Sequence, residues 1–281
     1  MYITNRPDVA KIADSVGVDR IFVDMEYIGK AARQGGMDTV QSHHTVDDIK
    51  NVKSAVTNAQ IMVRCNPIHA DSKKEIDAIV NAGADLIMLP YFKSTDEVRT
   101  FIDYVDGRAK TFPLLETPEA AECVDEILEL EGLDEIHIGL NDLSLGLKKK
   151  FMFELLSDGT VEQLCIKFKQ KGIPYGFGGI AALGKGLLPA ERIIKEHYRM
   201  GSSCAILSRS FCDVSKISDI NEIKSIFVTG VRQIRRFEEE CAKHMSYFSE
   251  NEAEIRDIVL HVSGMIGARL APSKAETESG K

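Results

Sequence analysis

Two carboxylates each follow a short apolar run: Glu116 in Phe-Pro-Leu-Leu-Glu-Thr-Pro-Glu-Ala, and Asp142 in Ile-His-Ile-Gly-Leu-Asn-Asp-Leu-Ser. An acid directly after an apolar strand is not a core residue. Burying it without a partner is costly, and a divalent cation is an efficient partner. A helix-start signal or a glycine-bearing loop follows each acid, so both are expected at the mouth of a barrel. Two carboxylates with waters and two substrate oxygens suit a hard, octahedral ion, so the pair reads as a Mg²⁺ or Mn²⁺ site. The plainer alternative is that Glu116 caps the helix starting at Pro118 while Asp142 closes a turn.

Other polar residues also fall just after apolar runs. Asp24, Glu26 and Tyr27 follow the second, leading into a long polar loop over 29–44. Arg64 ends the third; its planar cation suits a carboxylate or a developing enolate, and an ion pair with Glu26 or Glu116 is compatible with that role. Gly176 to Gly179 could admit an anion to backbone N–H groups, or simply make a tight turn. Ser208-Arg209-Ser210 offers a cation at the mouth or a surface arginine. His43 and His44 lie on the polar loop, where solvation is the bland reading. His137, inside a strand, reads as structural.

The elements that must position these residues alternate regularly. Apolar runs cover 2–4, 21–24, 61–64, 86–89, 112–115, 136–138, 175–177 and 205–207. Between them lie helical patterns over 7–15, 45–56, 73–81, 95–105, 118–128, 160–171 and 189–199. Prolines at first helical positions and Ser, Thr or Asp just before them mark several starts. Val-Gly-Val-Asp-Arg and Ala-Gly-Ala-Asp-Leu show a glycine helix end running into a strand. Eight strands with crossover helices favour an α/β (β/α)₈ TIM barrel over an open doubly wound sheet, whose Gly-rich dinucleotide fingerprint is missing after the first strand. The barrel is expected over 1–215. Helices over 216–270, read as 221–247 and 252–270, complete it or pack on a partner subunit, and 271–281 is expected to be a disordered tail.

The 281 residues carry a net charge of −8, with 44% hydrophobic and 28% charged residues. That balance argues against nucleic acid and anionic membrane as partners and leaves room for a local basic pocket that takes a small anionic substrate. Six cysteines are scattered without a CxxC pair, which fits a reducing cytosol. No apolar run reaches membrane-span length and no export signal opens the chain, so a cytoplasmic location is expected.

With these residues in place, the chain resembles the HpcH/HpaI aldolase and citrate lyase β-subunit superfamily. The carrying stretches are Phe22-Val-Asp-Met-Glu26, Val63-Arg64, Ala82-Gly-Ala-Asp-Leu-Ile-Met-Leu-Pro90, Leu114-Leu-Glu116-Thr-Pro-Glu-Ala and Ile138-Gly-Leu-Asn-Asp142-Leu-Ser, spanning roughly 8–210. The resemblance implies a (β/α)₈ barrel whose last helix often swaps onto a partner subunit, and hence a homo-oligomer. It implies Mg²⁺ or Mn²⁺ held by Glu116 and Asp142, chelated by a pyruvate-type 2-oxo acid whose enolate Arg64 stabilises. Arg64, Pro90, Gly139 and Asn141 are the corresponding substrate-binding candidates. An aldehyde is the candidate second partner.

The departures from the family pattern matter as much. Where the hydroxy-keto-acid aldolases place a histidine after Asp-x-Glu, this chain has Tyr27, and Asn81 stands at the position of that histidine's aspartate partner. Tyrosine, with an ordinary pKa near 10, is a poor base at neutral pH. Tyr27, His43, His44 or a metal-bound hydroxide are therefore candidates for the displaced proton-handling role, with Glu26 orienting Arg64 or a metal-bound water. Three readings follow: a metal-dependent carbon–carbon lyase of aldolase type, an acyl-thioester lyase like the citrate lyase β-subunit, or a barrel that binds metal and oxo acid without turnover.

Overall fold

The computed structural model describes residues 1–30 and 43–270. Most of the long polar loop after the second strand and the expected tail lie outside the described residues. Nine parallel strand segments form one sheet: β1 (Tyr2–Ile3), β2 (Arg20–Asp24), β3 (Gln60–Arg64), β4 (Leu86–Met88), β5 (Lys110–Thr111), β6 (Leu114–Leu115), β7 (Ile136–Ile138), β8 (Tyr175–Ile180) and β9 (Cys204–Leu207), in the order β5-β4-β3-β2-β1-β9-β8-β7-β6.

β5 and β6 are two halves of one extended stretch, split at Pro113, which has no N–H to donate to a ladder. On one side Phe112 N–H donates to Ile87 O (2.9 Å) and Leu114 N–H to Leu89 O (2.8 Å). On the other, Pro113 O accepts from His137 N–H and Leu115 O from Gly139 N–H, both at 2.9 Å. This stretch joins both ends of the sheet and closes an eight-stranded barrel, as the alternating sequence pattern predicts.

Side chains alternate across the barrel wall with the strand period of two. Phe22, Met62, Leu86, Met88, Phe112 and Leu114 pack together as an inner cluster. Ile21, Val23, Ile61, Val63, Ile87 and Leu89 belong to the larger cluster beneath the helices. Full burial of each such side chain stabilises by about 1.5–3 kcal/mol. Carried two residues further along their strands, the inward rows reach Asp24, Arg64, Pro90 and Glu116. His137 on β7 and Gly139 just after it continue the same row. Alternation alone thus turns the polar strand-end residues toward the mouth.

Helices Pro7–Ser15, Thr95–Val105 and Thr160–Lys171 have the boundaries their patterns predict. The helix expected over 118–128 is instead two short ones, Pro118–Glu122 and Val124–Ile127, broken at Cys123. The expected long helix over 221–247 runs Ile220–Lys243 and breaks at His244, which leaves the helical region at φ −132° and ψ 96°. A single 3₁₀ turn at Met245–Tyr247 then leads into Phe248–Leu270. Both C-terminal helices lie on the barrel of their own chain. Tyr2 meets Phe227 edge-on at 4.8 Å, and buried Asn251 donates to Glu196 Oε1 at 2.8 Å. Among the described residues, no helix is long and apolar enough to cross a membrane.

Candidate active site

Glu116 extends the inward row of β6 and is 5% exposed. Its Oε1 accepts a 3.0 Å hydrogen bond from the backbone N–H of Tyr91. Tyr91 sits at φ 49°, a left-handed conformation costly for a residue with a side chain. Gly139 faces Glu116 across the strand pair: a Cβ there would lie 2.7 Å from both Glu116 Cβ and Oε2. The space the carboxylate occupies therefore exists because residue 139 is glycine. Capping of the helix at Pro118 falls to Thr117, whose hydroxyl accepts from Ala120 N–H at 3.1 Å, and not to Glu116.

Asp142 lies in the first turn of the helix Leu140–Gly146 and is 8% exposed. Its Oδ1 accepts from the Asn141 side-chain amide at 3.0 Å. Glu116 and Asp142 line one cavity of about 240 Å³ together with Tyr91 and Leu145. Among the described residues, no group of three or more His, Cys, Asp or Glu side chains is placed to hold a metal ion. Two hard carboxylates at a cavity with room for further oxygen ligands nevertheless fit Mg²⁺ or Mn²⁺, which commonly take one or two protein carboxylates and complete their shell with water and substrate.

Arg64 and Asp24 are register partners on β3 and β2. Arg64 Nε and Nη2 donate to the two Asp24 oxygens, each at 2.8 Å. Lys30 Nζ reaches Asp24 Oδ2 at 2.8 Å and Glu26 at 3.5 Å, and Arg64 Nε lies 3.4 Å from Glu26. Two buried acids and two buried bases form one compact cluster. The expected Arg64 partners were Glu26 or Glu116; Asp24 is the main one, because it stands opposite on the neighbouring strand. Burial alone would push the Asp24 carboxyl up, but Arg64 and Lys30 outweigh it and hold it well below the usual carboxylate range. Burial also works against the Arg64 charge, and Asp24, Glu26 and Glu116 together more than reverse it.

His44 is half-buried, and its Nδ1 accepts from the backbone N–H of Asp24 at 2.9 Å. A backbone N–H can only donate, so the neutral ring carries its proton on Nε2. Burial lowers the His44 pKa below the ordinary histidine value against the opposing pull of Asp24 and Asp48. Arg64, Asp24, Lys30, His44 and Arg209 all line a second cavity of about 360 Å³ at the ends of β1, β2, β3 and β9.

The remaining candidates are more scattered. The Tyr27 side chain is 65% exposed, while its backbone N–H donates to buried Asn66. Asn81 ends the helix Ser72–Asn81 and is exposed where the chain enters β4, at the opposite end of the barrel from the mouth. Pro90 is buried beside Tyr91, Asn141 is tied to Asp142, and His43 is exposed. Gly176 to Gly179 continue β8 rather than forming a turn. His137 is fully buried, its Nε2 at 3.1 Å from Gly178 O, and burial drops its pKa to about 3. Sequence reasoning did not single out Lys30, Asn66 or Tyr91. Of these only Lys30 carried a signal, its i, i+4 spacing from Glu26.

The family model described as HpcH/HpaI aldolase/citrate lyase matches residues 2–156. Among solved structures, an HpcH/HpaI aldolase from Desulfitobacterium hafniense DCB-2 superposes with a TM-score of 0.56 at 16% identity, covering 83% of this chain and 91% of that one. An HpcH/HpaI aldolase/citrate lyase family protein from Burkholderia cenocepacia J2315 superposes with a TM-score of 0.59 at 14% identity, covering 84% and 94%. The citrate synthase SbnG gives a TM-score of 0.55 at 14% identity, covering 84% and 92%. No curated protein matches the chain.

Proposed function

The chain belongs to the HpcH/HpaI aldolase/citrate lyase family, and we propose that within it the protein is a divalent-metal-dependent carbon–carbon lyase of aldolase type, acting on a pyruvate-like 2-oxo acid by way of its enolate. The observation that carries this reading is that Glu116 and Asp142, both buried, line one cavity, with the Glu116 side chain in space that only a glycine at 139 leaves free.

Glu116 and Asp142 would hold Mg²⁺ or Mn²⁺, and the bound ion supplies Lewis-acid polarisation of the 2-oxo carbonyl. Tyr91 N–H fixes the Glu116 carboxylate through Oε1. Asn141 does the same for Asp142. Arg64 spends Nε and Nη2 on Asp24, which leaves Nη1 as the edge that meets a developing enolate oxygen. Glu26 and Asp24 orient that guanidinium. Of the proton-handling candidates, His44 shares a cavity with Arg64, whereas the exposed Tyr27 side chain does not.

Oxalate, a stable mimic of the pyruvate enolate, tests the reading by binding. It is expected to tighten Mn²⁺ binding by the wild-type protein and to have no such effect on Glu116→Gln. Oxalate that leaves Mn²⁺ affinity unchanged in the wild type contradicts it. The residue after Asp-x-Glu, Tyr27 in place of histidine, favours acyl-thioester cleavage as a second reading. Turnover of coenzyme A thioesters but not of free acids would select it.

A further inference from the structure

The sheet holds the chain after β2 for only one residue more. Met25 N–H donates to Arg64 O at 3.0 Å, and the next N–H, of Glu26, reaches Asp24 Oδ1 only at 3.3 Å. Asn66, two residues beyond Arg64, then takes over. Its Oδ1 accepts from two successive backbone N–H groups, Tyr27 at 3.0 Å and Ile28 at 2.9 Å. We propose that Asn66 is a positioning residue of the active site: by fixing Tyr27 and Ile28 it sets Glu26 and Lys30 around Arg64 and so aims the guanidinium. What the aimed guanidinium then does rests on the aldolase-type reading above.

Asn66 is itself locked from behind. It is 3% exposed, its Nδ2 donates to Glu75 Oε1 at 2.8 Å, and its backbone N–H donates to the same oxygen at 3.2 Å. Glu75 Oε2 lies 3.0 Å from His69 Nε2, and His69 Nδ1 accepts from Asp71 N–H at 3.2 Å. A backbone N–H can only donate, so His69 carries its ring proton on Nε2 and gives that hydrogen bond to Glu75. The sense of every bond in this chain is therefore fixed. The Asn66 amide cannot flip, because the Glu75 carboxylate only accepts and the Tyr27 and Ile28 N–H groups only donate.

The consequence falls on Arg64. Lys30 N–H lies 3.4 Å from Tyr27 O, so the segment turns back on itself just where Asn66 grips it. One end of that turn carries the Glu26 carboxylate, 3.4 Å from Arg64 Nε. The other carries the Lys30 ammonium, 2.8 Å from Asp24 and 3.5 Å from Glu26. A shift of the turn against β3 moves charges of both signs around one guanidinium. Among the described residues the hydrogen bonds of Asn66 go to Tyr27, Ile28 and Glu75, and none to Glu116 or Asp142. Loss of Arg64 aim with the metal site intact is what a positioning role predicts, and general damage to the barrel would not produce it.

Asn66→Asp keeps the shape and the acceptor oxygen but turns the amide donor into a carboxylate oxygen facing Glu75. Adding Glu75→Gln reverses the polarity of that contact and restores it. In the full-length, ¹⁵N-arginine-labelled protein, the Arg64 Nε–H resonance is expected to move in Asn66→Asp and to return toward its wild-type position in the double variant. Exchange of pyruvate methyl protons in D₂O with Mg²⁺ should fall roughly tenfold or more in kcat in Asn66→Asp and recover in the double variant. Mn²⁺ affinity should stay at the wild-type value in both. In the wild type, the Tyr27 and Ile28 amides should be protected from hydrogen exchange. Rapid exchange of those two amides overturns the proposal without any variant. So does an Arg64 resonance that Asn66→Asp leaves in place, a kcat loss that Glu75→Gln does not reverse, or a matching loss of Mn²⁺ affinity. A wild-type protein that exchanges no pyruvate protons discards the aldolase-type reading, and the amide protection and the Arg64 resonance then decide the role of Asn66 on their own.

Discussion

Arg64 grips Asp24 through two parallel hydrogen bonds, Nε to Oδ1 and Nη2 to Oδ2, each 2.8 Å long. The pair is bidentate, buried and set by the strand register, so the guanidinium plane is fixed before any ligand arrives. Preorganisation of this kind is what charge stabilisation in a transition state needs.

Asp24→Asn removes one acid from a buried cluster that then holds Arg64 and Lys30 against Glu26 alone. Breaking a buried pair from one side costs about 3–5 kcal/mol, because the remaining charge is left without compensation. Urea unfolding should show that loss, and a second change, Lys30→Met, should recover part of it. Independent, additive effects of the two changes would contradict the cluster.

Two buried histidines make stability fall with acid. Burial lowers the pKa of His137 and of His197 to about 3 from the ordinary histidine value of 6.5. Between those values the unfolded chain binds the protons that the folded chain refuses. The stabilisation is thus complete above the unfolded pKa and is lost as pH falls toward the folded one. The slope is about 1.4 kcal/mol per pH unit for each ring within that window. His197→Gln should flatten the curve measured by urea unfolding between about pH 7 and 5. An unchanged slope in that variant would show that His197 is not held neutral.

Gly139→Ala should act on the site through Glu116. The added methyl would lie 2.7 Å from Glu116 Cβ and Oε2, too close for either to stay in place. Overpacking of this kind costs about 1–3 kcal/mol of stability. Mn²⁺ affinity, read by titration, should fall by roughly tenfold or more as the carboxylate shifts. Wild-type affinity in a folded Gly139→Ala protein would separate Glu116 from the ion.

The barrel was legible because apolar runs and capping signals are local. The inward row that ends in Asp24, Arg64 and Glu116 follows from strand alternation, and the acids after β6 and within the Leu140–Gly146 helix stood out by position. Four details were not legible, each because it depends on the fold. Pro113 divides one barrel strand, a matter of ladder hydrogen bonds rather than of apolar content. Gly176 to Ile180 remains one strand, with a register shift at left-handed Gly178, because Gly179 and Ile180 pair with Ile206 and Leu207, about 30 residues downstream. The positive φ of Tyr91 and the bond from Asp24 N–H to His44 arise only once distant segments meet.

The enolate chemistry itself is tested most directly by following pyruvate methyl protons by NMR in D₂O, with the purified protein and Mg²⁺ or Mn²⁺. Exchange is expected in the complete sample, and none after chelation or in Glu116→Ala. Exchange that survives both treatments would contradict metal-assisted enolisation at Glu116, and no exchange in the complete sample would contradict pyruvate aldol chemistry altogether.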